Sequence, residues 1–281
     1  MADKPGILFV HPHPDDESIA CGGTIALALD AGHPVTILTC TGGEAGENLG
    51  GIELGGLTLA QVRALELASS LEILGGPEHE WLGYRDSGMA ETPDNEHADC
   101  FHVADLDQAA AQVADLIRRW RPAVVVSDDE HGTYGHPDHI KANAVTRRAV
   151  ELAADPTWGV GGPWQVKRRF HHALGKRRML QGHNRLIEEG LASPFGDQPF
   201  DDPDRMPFGA DDEAITTVID VSSVLDRKRQ AIHAHASQLS PDSFFLNIPL
   251  DAEAEFFGVE EFVLVEGEAS QDIASSLLAG L

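Results

Sequence analysis

His13-Pro14-Asp15-Asp16-Glu17 follows closely on the apolar run 7–10, and His136-Pro137-Asp138-His139 follows a second apolar run, 124–126. Imidazoles and carboxylates are the groups that hold zinc while leaving a position for water. Zinc brings the pKa of that water down to about 7, so a nearby carboxylate can take its proton. His11, His13, Asp15, Asp16, Glu17, His136, Asp138 and His139 are the candidates for these tasks. His13 and Asp16 are three residues apart, so a tight turn entering a helix can aim both at one point. Asp15 is then free of the metal but beside it, where a base belongs. Pro14 and Pro137 stiffen the two turns. Either cluster alone would pass for a turn or a helix cap. Two of them, at two strand ends, point to a metal-dependent hydrolase.

The elements that must position these residues alternate. Apolar runs predict strands over 7–10, 35–40 and 123–127, with a short one near 80–82. Helical spacing predicts helices over 18–31, 59–74, 106–120 and 138–153. Gly32, Gly75-Gly76 and Pro122 stop the first three, and Pro137 suits the first turn of the fourth. Such alternation builds a parallel sheet with right-handed crossovers, whose loops converge beyond the strands' C-terminal ends. The fold class is therefore α/β: a Rossmann-like, mostly parallel sheet flanked by helices, with an irregular C-terminal elaboration. In the second half, strands are expected over 166–174, 215–221 and 262–266, and a helix over 222–237. The stretch 181–212, rich in Pro, Gly and Asp, reads as either a functional lid or a partly disordered loop. Without a repeat or a clear linker, residues 1–281 read as one domain, with a core over 6–155 and the lid and elaboration over 156–281.

Size and composition fit this reading. A chain of 281 residues, 42% hydrophobic and 23% charged, can bury a sizeable core. No apolar run approaches the ~18 residues of a membrane span. The first strand comes too early for a signal peptide, so a cytoplasmic enzyme is expected. The net charge of −26 argues against nucleic acid and anionic membranes as partners. Lysines are only Lys4, Lys141, Lys167, Lys176 and Lys228. A salt-rich cytoplasm would screen so acidic a surface, and a GC-rich genome would equally favour arginine over lysine. Cys21, Cys40 and Cys100 are odd in number and lack C-x-x-C spacing, which suggests neither disulfides nor a thiolate zinc site. Cys21 and Cys40 read as small core residues, and Cys100 lies in a polar stretch. Gly42–Gly56 lacks G-x-G-x-x-G spacing and carries Glu44, Glu47 and Glu53, which would repel phosphates.

The two clusters resemble the PIG-L (LmbE-like) de-N-acetylase family. The likeness extends to Thr39-Cys40-Thr41-Gly42-Gly43-Glu44, to Arg63 and Glu66 with Leu74-Gly75, and to Arg85-Asp86-Ser87-Gly88-Met89. It continues through Gly132-Thr133-Tyr134-Gly135 and Ala234-His235-Ala236-Ser237-Gln238, so it spans residues 7–240. It implies a Zn2+-dependent hydrolase of N-acetyl groups on amino-sugar conjugates, with Fe2+ also compatible with two His and one Asp. On this resemblance His13, Asp16 and His139 are the metal ligands and Asp15 the general base. His136 stabilises the tetrahedral intermediate and can protonate the amine, Asp138 orients a histidine, and Tyr134 helps the oxyanion. Glu44, Arg63 and Asp86 match positions that hold hydroxyls of the sugar or its polyol. The context of 85–89 and 134–139 is similar to the branch with mycothiol-pathway deacetylase and mycothiol S-conjugate amidase, which act on N-acetylglucosaminyl-inositol or its cysteinyl conjugates.

Other residues have plainer expectations. His11 should pack at the end of strand one, Glu17 should cap the first helix, and His171-His172 should lie on a half-exposed strand. His131 belongs to a loop near the mouth, and His235 could reach the site from the last helix. Three alternatives stay open: an S-conjugate amidase, a metal-dependent phosphoesterase drawing on Arg168, Arg169, Arg177 and Arg178, and a sugar- or nucleotide-binding protein with structural histidines. Association with further copies of the chain also stays open.

Overall fold

In the computed structural model, which describes residues 4–191, 193–270 and 272–281, seven strands form one sheet in the order β3-β2-β1-β4-β5-β7-β6. The strands are β1 (Ile7–His11), β2 (Val35–Thr41), β3 (Glu78–Tyr84), β4 (Val124–Ser127), β5 (Arg168–Ala173), β6 (Thr217–Asp220) and β7 (Val259–Gly267). The five strands from β3 to β5 run parallel, and β7 is antiparallel to both β5 and β6. The chain moves outward from β1 to β2 and β3, then returns to β4 on the other side of β1. Beyond the C-terminal ends of β1 and β4 lies the crevice where such sheets bind ligands.

Alternation along β1 explains the layers. Ile7 and Phe9 face a core closed by α1 (Asp16–Asp30) and α2 (Leu59–Leu74), while Leu8 and Val10 face one closed by α3 (Leu106–Trp120). Thr58 and Gln61 form a capping box at the start of α2, and Asp105 caps α3. A one-turn segment, α4 (Gly132–Gly135), precedes α5 (Pro137–Ala154). The register Phe9↔Val126 between β1 and β4 brings the two motif-bearing exits side by side.

Several elements depart from expectation. Helix α1 begins at Asp16, two residues early, because Asp15 turns the chain abruptly. Strands β3 and β7 are longer than the runs that announced them. The supposed lid starts as a regular helix, α6 (Lys176–Glu188), which buries Gly182, His183 and Leu186; of the stretch 181–212, residue 192 lies outside the described residues. The helix expected over 222–237 is α7 (Leu225–Ala234) between two 3-10 turns, followed by α8 (Phe244–Asn247) and α9 (Leu250–Phe257). Among the described residues no helix is long and apolar enough to cross a membrane.

Candidate active site and metal centre

The β1 exit delivers His13 into the crevice, and the turn that follows is strained. Asp15 has φ 121°, ψ −33°, a region L residues seldom adopt, at a cost of about 1–3 kcal/mol. Its backbone carbonyl accepts from Ser18 N and Ile19 N, and its N–H donates to Glu17 Oε2 at 2.9 Å. Glu17 thus does cap this turn, but its other oxygen accepts from Ser70 at 2.8 Å and lies 2.9 Å from His235 Nε2. From α2, Arg63 donates to Pro14 O at 2.7 Å, Gly43 O at 3.1 Å and Asp15 Oδ2 at 3.1 Å.

The β4 exit and the start of α5 deliver the other half. Tyr134, His136, Asp138 and His139 meet His13, Asp15 and Asp16. Asp16 Oδ2 lies 3.4 Å from His13 Nδ1 and 3.6 Å from His139 Nε2. Zinc bonds of about 2.0–2.1 Å in a tetrahedron would put ligand atoms about 3.4 Å apart, close to the spacing Asp16 keeps from each of the two rings. His139 Nε2 is buried and has no hydrogen-bond partner among the described residues, while its Nδ1 lies 2.6 Å from Asp128. Ligand atoms of His13, His136 and His139 also fall within 4.8 Å of one another, as do those of His13, Asp86 and Asp138. The last set is committed elsewhere. Asp138 accepts from both the N–H and the hydroxyl of Ser87, and Asp86 from the N–H groups of Ala45 and Gly88. Both carboxylates then approach His13 Nε2, at 3.3 and 3.5 Å, and so orient that ring with Nδ1 toward Asp16. The structure therefore brings together a His/Asp cluster able to bind a metal.

Electrostatics separates the roles. Burial pushes the Asp15 carboxyl up to about 6 despite the nearby Arg63 guanidinium. Burial would raise Asp16 too, but His139 and His13 outweigh it and hold it well below the usual carboxylate range. Burial, with His13 and His139 alongside, lowers His136 to about 4. His136 Nδ1 accepts the Asp138 N–H at 3.1 Å. The neutral ring therefore carries its proton on Nε2 and is a donor there. Tyr134 stands half-exposed with its ring 5.2 Å from that of His139, and burial with the nearby carboxylates raises its hydroxyl pKa.

Of the residues tied to sugar hydroxyls, Glu44 is half-buried and accepts the Asp86 N–H at 2.9 Å. Arg63 and Asp86 are buried in the contacts just described. His11 ends β1 fully buried, as expected. His171 and His172 correct the expectation of a half-exposed strand: β5 lies between β4 and β7, and both rings are buried. Cys100 is buried as well, despite its polar neighbours. Sequence reasoning passed over Asp128, which lies immediately beyond β4 in the crevice and binds His139, His172 and Thr133. Its position after an apolar strand was the available signal. Ser87, the anchor of Asp138, stands out in the sequence only as part of the 85–89 motif.

The chain has relatives over the span that carries both motifs. Residues 8–150 match the PIG-L family, described as GlcNAc-PI de-N-acetylase. A Thermobispora bispora protein named 1D-myo-inositol 2-acetamido-2-deoxy-alpha-D-glucopyranoside deacetylase is 42% identical over 98% of this chain and 92% of its own length. A protein of the same name from Geodermatophilus obscurus is 39% identical over 100% of this chain and 99% of its own. A conserved protein from Thermus thermophilus superposes with a TM-score of 0.60 at 25% identity, over 98% of this chain and all of that one. The N,N'-diacetylchitobiose deacetylase of Pyrococcus horikoshii shares the fold, with a TM-score of 0.61 at 20% identity over 94% and 84% of the two chains. With the paired motifs converging at the sheet's switch point and the match running through both, this chain belongs to the PIG-L family of de-N-acetylases.

Proposed function

We propose that the protein is a zinc-dependent deacetylase that hydrolyses the acetamide of N-acetylglucosaminyl-inositol to the free amine and acetate. The observation that carries this reading is Asp15, a half-buried carboxyl beside the His13, Asp16 and His139 donor set but not committed to it. The names of relatives similar over almost the whole chain support the substrate. Bound zinc would polarise the amide carbonyl and acidify a water.

Asp15 takes the proton of the attacking water; at neutral pH it is largely ionised, and a nearby cation keeps it so. His136 Nε2–H faces the oxygen on which charge develops, a kind of contact worth about 3–4 kcal/mol. Tyr134 adds a second donor, its phenol hydroxyl. His136 is held neutral, so Asp15 is the group that returns a proton to the departing amine. Glu44, with Asp86 and Arg63 behind it, would meet the sugar hydroxyls. The same reading keeps the enzyme in the cytoplasm on a small soluble conjugate.

One observation favours a second substrate, a cysteinyl S-conjugate. Phe208 packs 6.3 Å from Tyr134 and lines a cavity of about 580 Å³ with Phe195, Phe244 and Phe256, large enough for an apolar S-substituent. A phosphoesterase gains nothing from Arg168 and Arg169, which sit at the far end of β5, bonded to Glu268 O, Leu277 O and Glu266.

The test is metal content together with acetate release from N-acetylglucosaminyl-inositol, for wild type and Asp15→Asn. One zinc per chain and acetate release that drops about 10²–10⁴-fold in the variant are expected. Metal-loaded wild type that releases no acetate, or Asp15→Asn at full rate, would overturn the reading.

A further inference from the structure

A pair of buried side chains behind the catalytic turn has no part in the chemistry above. His235 follows α7, 218 positions from Glu17, and its Nε2 lies 2.9 Å from Glu17 Oε1. Both side chains are about 1% exposed. The same oxygen of Glu17 accepts from Ser70 on α2, and the other accepts the backbone N–H of Asp15. His235 itself is held in place by its neighbours. The Ser237 N–H and hydroxyl donate to Glu66 at 2.7 and 2.6 Å, and Gln238 donates to Glu47 O at 3.2 Å.

Buried ion pairs are poor stabilisers, because desolvation offsets their attraction. This one also leaves His235 Nδ1 buried without a partner among the described residues. Its cost calls for a return other than packing. The pair ends on the one backbone N–H whose residue combines a strained φ with the role of base. A strained residue persists only where its surroundings over-determine it, and Asp15 is held on the carboxylate side by Arg63 and on the backbone side by Glu17.

We propose that His235 and Glu17 form a positioning pair that holds Asp15 in its left-handed conformation and so aims its carboxylate at the attacking water. This rests on Asp15 being the base, as argued above. His235 fixes the Glu17 carboxylate, Glu17 fixes the Asp15 N–H, and the end of helix α7 is thereby tied to the reaction centre. His235 touches no reacting atom; it acts through Glu17.

The experiment uses the full-length, zinc-loaded protein with His235→Leu, His235→Gln, Glu17→Gln and the double variant Glu17→Gln/His235→Leu. Kinetics with N-acetylglucosaminyl-inositol, metal content and hydrogen exchange at the Asp15 amide are measured on each. In His235→Leu, kcat should fall about 10²-fold, the scale of a misaimed group. KM should change less than about threefold, zinc should stay at one per chain, and the Asp15 amide should exchange faster. His235→Gln, which keeps an N–H donor, should recover most of kcat. The double variant should be no worse than the poorer single one. Wild-type kcat in folded His235→Leu, or exchange at Asp15 as slow as wild type in that variant, would overturn the pairing. So would a loss of kcat that simply tracks lost zinc. Should His235→Leu not fold, His235→Gln against Glu17→Gln decides the same question through exchange and kcat. A wild-type Asp15→Asn rate would strike the base reading instead, while the exchange measurement would still judge the pair.

Discussion

Asp128 Oδ1 lies 2.6 Å from His139 Nδ1 and 3.2 Å from His172 Nε2, so one buried carboxylate clasps a ring of the site and a ring of the neighbouring strand. His139 is left with Nε2 facing Asp16. Asp128→Asn keeps the shape and removes the charge. Metal affinity should drop about 10–100-fold, as for other partners of ligating histidines. Competition with a chelator measures it; an unchanged affinity would show that His139 needs no such clasp.

Two adjacent glycines in α1 should respond with opposite signs. A Cβ on Gly22 would meet Lys228 and Leu74 at 3.4 and 3.5 Å, ordinary contact, so Gly22→Ala should stabilise by up to about 1 kcal/mol through helix propensity. A Cβ on Gly23 would lie 2.4 Å from that of Val221, and Gly23→Ala should destabilise by about 1–3 kcal/mol through overpacking. Urea unfolding of the two variants gives the comparison, and equal signs would contradict the packing.

Lys228 Nζ lies 2.6 Å from Glu260 Oε1, and the same carboxylate accepts the N–H groups of Gly23 and Thr24 at 2.8 Å each. Removing one partner strands a buried charge. Lys228→Met should cost about 3–5 kcal/mol, with much of the loss recovered by adding Glu260→Gln. Denaturant titrations of both variants test this; a single variant as stable as wild type would mean that water reaches the carboxylate.

His171 should make stability depend on pH. Its Nε2 accepts from Asn143 at 2.8 Å and Arg169 at 2.9 Å, which requires the neutral ring. Burial and the Arg169 charge push its pKa down from 6.5 to about 4. Between those values the unfolded chain takes up a proton that the folded one refuses. Its contribution is thus complete above pH 6.5 and is lost as pH falls toward 4, at up to about 1.4 kcal/mol per unit. Unfolding free energies of wild type and His171→Gln over this range should differ in slope, with the variant flatter; parallel curves would exclude the ring as the source.

The strands β1, β2 and β4, the helices between them and the ends on which the two motifs sit were all legible in the sequence. Each rests on local information: apolar runs, 3.6-residue spacing, Gly and Pro stops, and motifs a few residues past a strand. The side chains that meet in the crevice could be named for the same reason. Tertiary structure alone decided what holds them. Asp128 meets His172 because β4 and β5 are neighbours, and His235 reaches Glu17 because α7 packs on α1 and α2; chain order implies neither. Helix α6 is masked in the sequence for a related reason. Gly182 reads as a breaker along the chain, yet it sits where a Cβ would come 2.4 Å from the Phe256 ring, so the residue that weakens the helical pattern is the one its packing requires. Local chemistry specifies which groups can act, while long-range contacts, whose partners lie far apart along the chain, set where those groups point.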